Sequence, residues 1–199
     1  MWLSGPTPKS KYWIGDIPDI EIRDADTIVN VTEFLATGGN LKTASDLWSF
    51  TFLYEHGGVY SDTDAVAIKH FPLDDWILVS SYKEHPKERL SIGVMAAPKG
   101  SPVFLNCINN IKKSWGNVTL FADEYFKVYG HTNSTHDDKL FYPFNWVEWD
   151  TLFNDVDIPE TYSVHLYHTK IEQNNMVKDR YEYDQNTMLG KIIQKYDFT

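Results

Sequence analysis

The sequence predicts an α/β chain in which short strands alternate with helices, and three observations carry that expectation. Residues 43–56 place Leu47, Trp48, Phe50, Phe52, Leu53 and Tyr54 around a helix on every face, so it is expected to be buried on all sides. Gly57-Gly58 follows at once, in the place where glycine ends a helix by adopting backbone angles closed to other residues, and Val59-Tyr60 restarts the chain as a strand. Residues 76–82 (WILVSSY) and 91–97 (SIGVMAA) are short apolar runs bounded by polar or proline-containing segments, as strands are.

In chain order, residues 1–3 are apolar up to the Gly5-Pro6 turn signal and read as a short first strand. Tyr12-Trp13-Ile14 forms a helical turn or loop, and the alternation from Pro18 to Arg23 forms a second strand. The chain therefore begins as a βαβ unit, and the central sheet is expected to be mostly parallel with helices on its faces. Residues 31–37 make a short helix, broken by Gly38-Gly39-Asn40. Thr43 followed by Asp46 has the spacing of a capping box, which puts Asp46 in the first turn of the long helix, at the positive end of its dipole. Further on, Ser101 caps and Pro102 opens a helix whose stripe of Val103, Phe104, Cys107, Ile108 and Ile111 makes the single cysteine a packing residue. The stretch 130–139 is a polar loop, and its His131, His136, Asp137 and Asp138 match no structural zinc spacing. Residues 162–168 form a late strand with His165 and Tyr167 on one side and Val164 and Leu166 on the other. A charged segment with Lys170, Lys178 and Arg180 leads to a last helix with Met188, Leu189, Ile192, Ile193 and Tyr196 on its inner face. With 199 residues and no internal repeat, one domain covering 1–199 is expected.

Composition narrows the function. A net charge of −10 and three scattered arginines give no basic stripe for nucleic acid or an anionic membrane. No apolar run is long enough to span a bilayer and the N-terminus lacks a signal pattern, so a cytoplasmic location is expected. The sequons at Asn30, Asn117 and Asn133 leave a secretory lumen open. Aromatic residues make up 15% of the chain, including seven Trp and twelve Tyr, rings that stack on bases and sugar faces or fill a core.

The chemistry concentrates at Asp62-Thr63-Asp64, which lies between the strand from Val59 and the apolar run Ala65-Val66-Ala67-Ile68. Two carboxylates held this close repel each other unless a cation joins them, and their oxygens suit Mn²⁺ or Mg²⁺ shared with substrate phosphates. Asp62-Thr63-Asp64-Ala65-Val66 also fits the loop of haloacid-dehalogenase-like phosphatases, with Asp62 as nucleophile and Asp64 as general acid. An EF-hand is excluded, because Val66 stands at the fifth loop position and no glycine follows.

Ser45-Asp46 together with Leu53-Tyr54-Glu55-His56-Gly57-Gly58-Val59-Tyr60-Ser61-Asp62-Thr63-Asp64 resembles the signature of DXD-containing glycosyltransferases, family 32 in particular. That group includes capsular polysaccharide synthesis enzymes, yeast-type mannosyltransferases and the catalytic domains of clostridial toxins. The resemblance implies the GT-A fold, a metal-dependent transfer of sugar from a UDP or GDP donor to a hydroxyl of a glycan or glycoprotein, and retention of anomeric configuration. It implies Asp46, Asp62 and Asp64 as catalytic residues, with Asp62, Asp64 and His165 around the metal. Trp2, Leu3, Ser4, Ser45, Asp46, Ser61, Asp62 and Lys170 then line the donor; Trp2 stacks on the base or serves as a core anchor. The sequence departs from the pattern at Ser49, where the family has arginine, and at Lys170-Ile171, where it has Ser-Trp. Both departures keep a non-catalytic nucleotide-sugar binder as an alternative.

Overall fold

The computed structural model describes residues 2–3, 21, 23–71, 80–82, 89–114, 116–130, 136–174 and 184–196. The strands are β1 (Trp2–Leu3), β2 (Arg23–Asp24), β3 (Gly58–Ser61), β4 (Ala65–Ala67), β5 (Ser80–Tyr82), β6 (Arg89–Leu90), β7 (Val94–Ala97), β8 (His136–Asp137) and β9 (Ser163–His165). The α-helices are α1 (Val31–Ala36), α2 (Leu41–His56), α3 (Pro102–Asn109), α4 (Asn117–Tyr129), α5 (His168–Gln173) and α6 (Met188–Tyr196). The expectations for residues 4–20 and 72–79, and those for His131, Asn133, Lys178 and Arg180, lie outside the described residues.

Helix α2 is the centre of the fold, and it begins earlier than the capping pattern implied. Asn40 is the cap: its side chain accepts from the Thr43 N–H at 3.0 Å, and the Thr43 hydroxyl accepts from the Asn40 N–H at 3.2 Å. Asp46 consequently sits in the second turn, not the first. The expected burial on all sides is also corrected. Thr43, Ala44, Ser49, Phe50 and Leu53 are buried, whereas Leu47, Trp48, Phe52 and Tyr54 are half-buried, Trp48 and Phe52 because they border a cavity. On the buried side Phe50 packs against Phe104 of α3 and Phe121 of α4, each with ring centroids 5.9 Å away. Cys107 belongs to this cluster, and burial pushes its thiol up to about 12, as expected of a packing residue.

Gly57 ends α2 with φ at +70° and its N–H bonded to the Leu53 carbonyl. The chain then turns directly into β3, which runs antiparallel to β7 with Gly58 opposite Ala97 and Ser61 opposite Val94. The two strands alternate between two cores. Tyr60, Met95 and Ala97 face the helices, while Val59, Val94 and Ala96 face Phe141 and Tyr142. After the acidic loop, β4 pairs antiparallel with β9, and Val66 enters a third cluster of Leu152, Val164, Ile171, Met188, Leu189 and Ile192. The strands flanking Asp62 and Asp64 thus pair with distant partners, not with each other.

Among the described residues, β1 with β2 and β5 with β8 are parallel, and the other three pairings are antiparallel, in four small sheets. The parallel β1–β2 pair agrees with a βαβ start, but a mostly parallel central sheet is not found there. The physical reason is local: the Gly57-Gly58 turn lays β3 alongside β7, and the Gly100 N–H closes this corner on the Tyr54 carbonyl at 2.8 Å. No helix among the described residues is long and apolar enough to cross a membrane.

Candidate active site

Three side chains from two sheets converge at one point. Asp62 follows β3, Asp64 precedes β4, and His165 ends β9 directly opposite Ala65. One donor atom from each lies within 4.8 Å of the others. His165 Nε2 is 3.3 Å from Asp64 Oδ1 and 3.6 Å from Asp62 Oδ2. Two acceptor-only carboxylates and an imidazole at these separations suit a hard divalent cation, so the donor set fits the metal that the motif implies.

Each group is fixed by a partner. Tyr60 donates its hydroxyl to Asp62 Oδ1 at 2.7 Å, and burial, with the Asp62 charge adding to it, raises the phenol well above its ordinary range and keeps it a donor. The His168 N–H donates to Asp64 Oδ2 at 3.1 Å, tying the acid to the start of α5. The Tyr167 N–H donates to His165 Nδ1 at 3.1 Å, from a residue whose φ of +51° is the only positive value among the described residues that are not glycine. With Nδ1 engaged as an acceptor, Nε2 carries the proton of the neutral ring and turns it toward the acids. Ligation through Nε2 requires that proton to leave and the Tyr167 bond to break.

Two cavities meet here, sharing Ser45, Tyr60 and Asp62. One, of about 680 Å³, runs past Ala25, Trp48, Phe52 and Val59 to Asp64. The other, of about 420 Å³, is lined by Asp46, Ser49, Gly93, Tyr142, Trp146 and His165. Ser61 lines the first cavity and Lys170 lies at the edge of the second, with its amine 3.8 Å above the centre of the Trp146 ring. Of Trp2 and Leu3 only the backbone is described, in β1, and Ser4 lies outside the described residues.

Asp46 faces the second cavity with a partner that sequence reasoning missed. Asn117 Nδ2 donates to Asp46 Oδ2 at 2.9 Å, and its amide is oriented by the Lys112 N–H on Oδ1 at 3.0 Å and the Lys112 carbonyl on Nδ2 at 3.2 Å. Asn117 is 2% exposed, so this sequon is structural and closed to glycosylation in the folded chain. Ser49, where the resemblance leads one to expect arginine, is buried and donates to the Asp46 carbonyl at 3.0 Å. The Asp46 carboxyl titrates above its ordinary value because burial outweighs the Asn117 hydrogen bond and the Lys42 charge, and Asp62 adds repulsion. A raised folded value means the folded state holds the proton more tightly, so this group lowers stability as pH climbs from the ordinary aspartate value through the raised one. Asp46→Asn is therefore expected to melt higher than wild type, with a gap that opens as pH rises above the ordinary aspartate range and levels off once the raised folded value is passed. Melting curves across that range check it, and a gap independent of pH would show that Asp46 carries no such penalty.

Comparison with known proteins bears on the same acids. Residues 14–83 match the family model described as a glycosyltransferase sugar-binding region containing a DXD motif. The matched stretch holds Ser45, Asp46, Asp62 and Asp64, and His165 lies beyond it. No curated protein matches the chain significantly. A DXD sugar-binding region whose two aspartates meet a histidine at the junction of two cavities fits a metal-dependent glycosyltransferase.

Proposed function

We propose that the chain is a GT-A-type, family 32-like glycosyltransferase that moves a sugar from UDP or GDP to a hydroxyl of a glycan or glycoprotein, with retention at the anomeric carbon. The observation that carries the proposal is the meeting of Asp62, Asp64 and His165 within 4.8 Å, inside or beside the matched DXD region and at the edge shared by both cavities. Departure of a diphosphate concentrates negative charge on its oxygens, and a bound Mn²⁺ or Mg²⁺ supplies the compensating charge. Asp64 would hold the cation directly. Asp62, steadied by Tyr60, would share it or hold ribose, sugar or metal-bound water. Asp46, steadied by Asn117, would orient the donor sugar through its hydroxyls. Ser45 and Ser61 border the donor space, and Trp2, Leu3 and Ser4 would line it as the family resemblance implies. Lys170 would leave Trp146 to meet the diphosphate.

A thermal-shift series with UDP- and GDP-sugars, with and without Mn²⁺, tests the reading, and release of free UDP or GDP separates a transferase from a binder. Stabilisation by a nucleotide sugar that requires Mn²⁺ is the expected result. No metal-dependent binding of any nucleotide sugar would overturn it, and binding without release would leave the non-catalytic binder that Ser49 favours.

A further inference from the structure

Gly93 stands opposite Asp62, one step beyond the Ser61–Val94 pair of the β3–β7 ladder, and its carbonyl accepts the Asp62 N–H at 2.7 Å. Side chains opposite each other on antiparallel strands share a face, so the Asp62 carboxylate lies over the place where residue 93 would carry its own side chain. A Cβ added there would sit 2.9 Å from Asp62 Oδ2 and 2.8 Å from the Tyr142 hydroxyl. Gly93 is not among the glycines with positive φ, so no left-handed backbone explains the glycine there. What the position demands is room. On the far side of that room, the Tyr142 hydroxyl is buried beside the acids, with the Ser91 side chain and the Val94 backbone as its polar neighbours.

We propose that Gly93 is a positioning residue for the cation site, its missing side chain being the space in which the Asp62 carboxylate is held against Tyr142 and toward Asp64 and His165. The inference rests on the metal-dependent reading given above. Tyr142 can give only slightly at the end of its ring, enough to ease the 2.8 Å approach of a new methyl group, since it is 7% exposed and packed with Val94, Ala96 and Phe141, with its ring 5.7 Å from that of His165. Asp62 can yield, since its side chain is 38% exposed and rotates about a single bond from the backbone. A methyl group at residue 93 therefore turns the carboxylate outward, away from the Tyr60 hydroxyl and the other two donors, and leaves the fold in place.

The test is Mn²⁺ affinity, read from the electron paramagnetic resonance of free Mn²⁺, for wild type, Gly93→Ala, Asp62→Asn and the double variant. Gly93→Ala is expected to keep its circular dichroism spectrum and to bind Mn²⁺ at least about tenfold more weakly. In the Asp62→Asn background the same change is expected to cost little more, because both act through one carboxylate. Independent, multiplying losses overturn the inference, as does a Gly93→Ala chain that fails to fold, since the core and not Asp62 then absorbs the methyl. Wild-type affinity in Gly93→Ala overturns it alone. A wild-type chain that binds no Mn²⁺ overturns the functional reading and this inference together.

Discussion

Replacing Asp64 by alanine is expected to abolish Mn²⁺-dependent binding of nucleotide sugar and to lower turnover by at least about a hundredfold, the scale on which removal of one charge-stabilising group acts. Asp64 is the acid most directly poised for a cation. One oxygen accepts the His168 N–H at 3.1 Å, which anchors the carboxylate, and the other faces His165 Nε2 at 3.3 Å, the companion donor for a cation. Loss of the side chain frees a backbone N–H at an exposed helix start, which water satisfies, so the metal-free melting temperature is expected to change little. Asp64→Asn separates charge from geometry: it can still accept from His168 but brings no charge to the cation. Isothermal titration with Mn²⁺ and a nucleotide sugar checks both variants, and wild-type affinity in Asp64→Ala would falsify the assignment of this site.

The largest loss of stability is expected from Gly57→Ala. Gly57 lies at φ +70°, where a side chain is strained whatever the space, and its Cβ would come 2.6 Å from the Lys99 backbone nitrogen and 3.0 Å from the Ala97 carbonyl oxygen. Both obstacles are backbone and neither can swing aside. A cost of about 3 kcal/mol follows from strain plus collision, or a fall in melting temperature of roughly 6–12 °C for a domain of this size. Gly58 supplies the control. Its φ is +95° but nothing lies within 4 Å of a Cβ there, so Gly58→Ala carries the conformational penalty without the collision and is expected to melt between wild type and Gly57→Ala. Equal melting of the two variants would show that the corner between α2 and β7 gives way.

The order helix, glycine turn, strand, acids, strand was legible because each step has a local cause: the apolar run of α2, Gly57, and the alternation around Tyr60. The start of α2 was misplaced by a turn because Thr43, the residue that looked like a cap, is the reciprocal partner in a cap formed by Asn40. The donor set was readable from the motif at Asp62 and Asp64, and at His165 only through resemblance, since β4–β9 pairing is a tertiary fact. Gly93, Tyr142 and Asn117 were hidden for the same reason. Asn117 read as a sequon, although its amide spans the gap between α4 and α2, and Gly93 read as one letter of a strand, although its meaning lies in what faces it.

The two acids belong to different packing units. Asp62 rides on the β3–β7 ladder, which the helical cluster backs through Tyr60, Met95 and Ala97, whereas Asp64 and His165 ride on the β4–β9 pair, which the cluster containing α6 backs through Val66 and Val164. Cation affinity therefore gauges the registration of one unit against the other. A substitution deep under α6, remote from every acid, is therefore expected to change Mn²⁺ affinity through the β4–β9 pair.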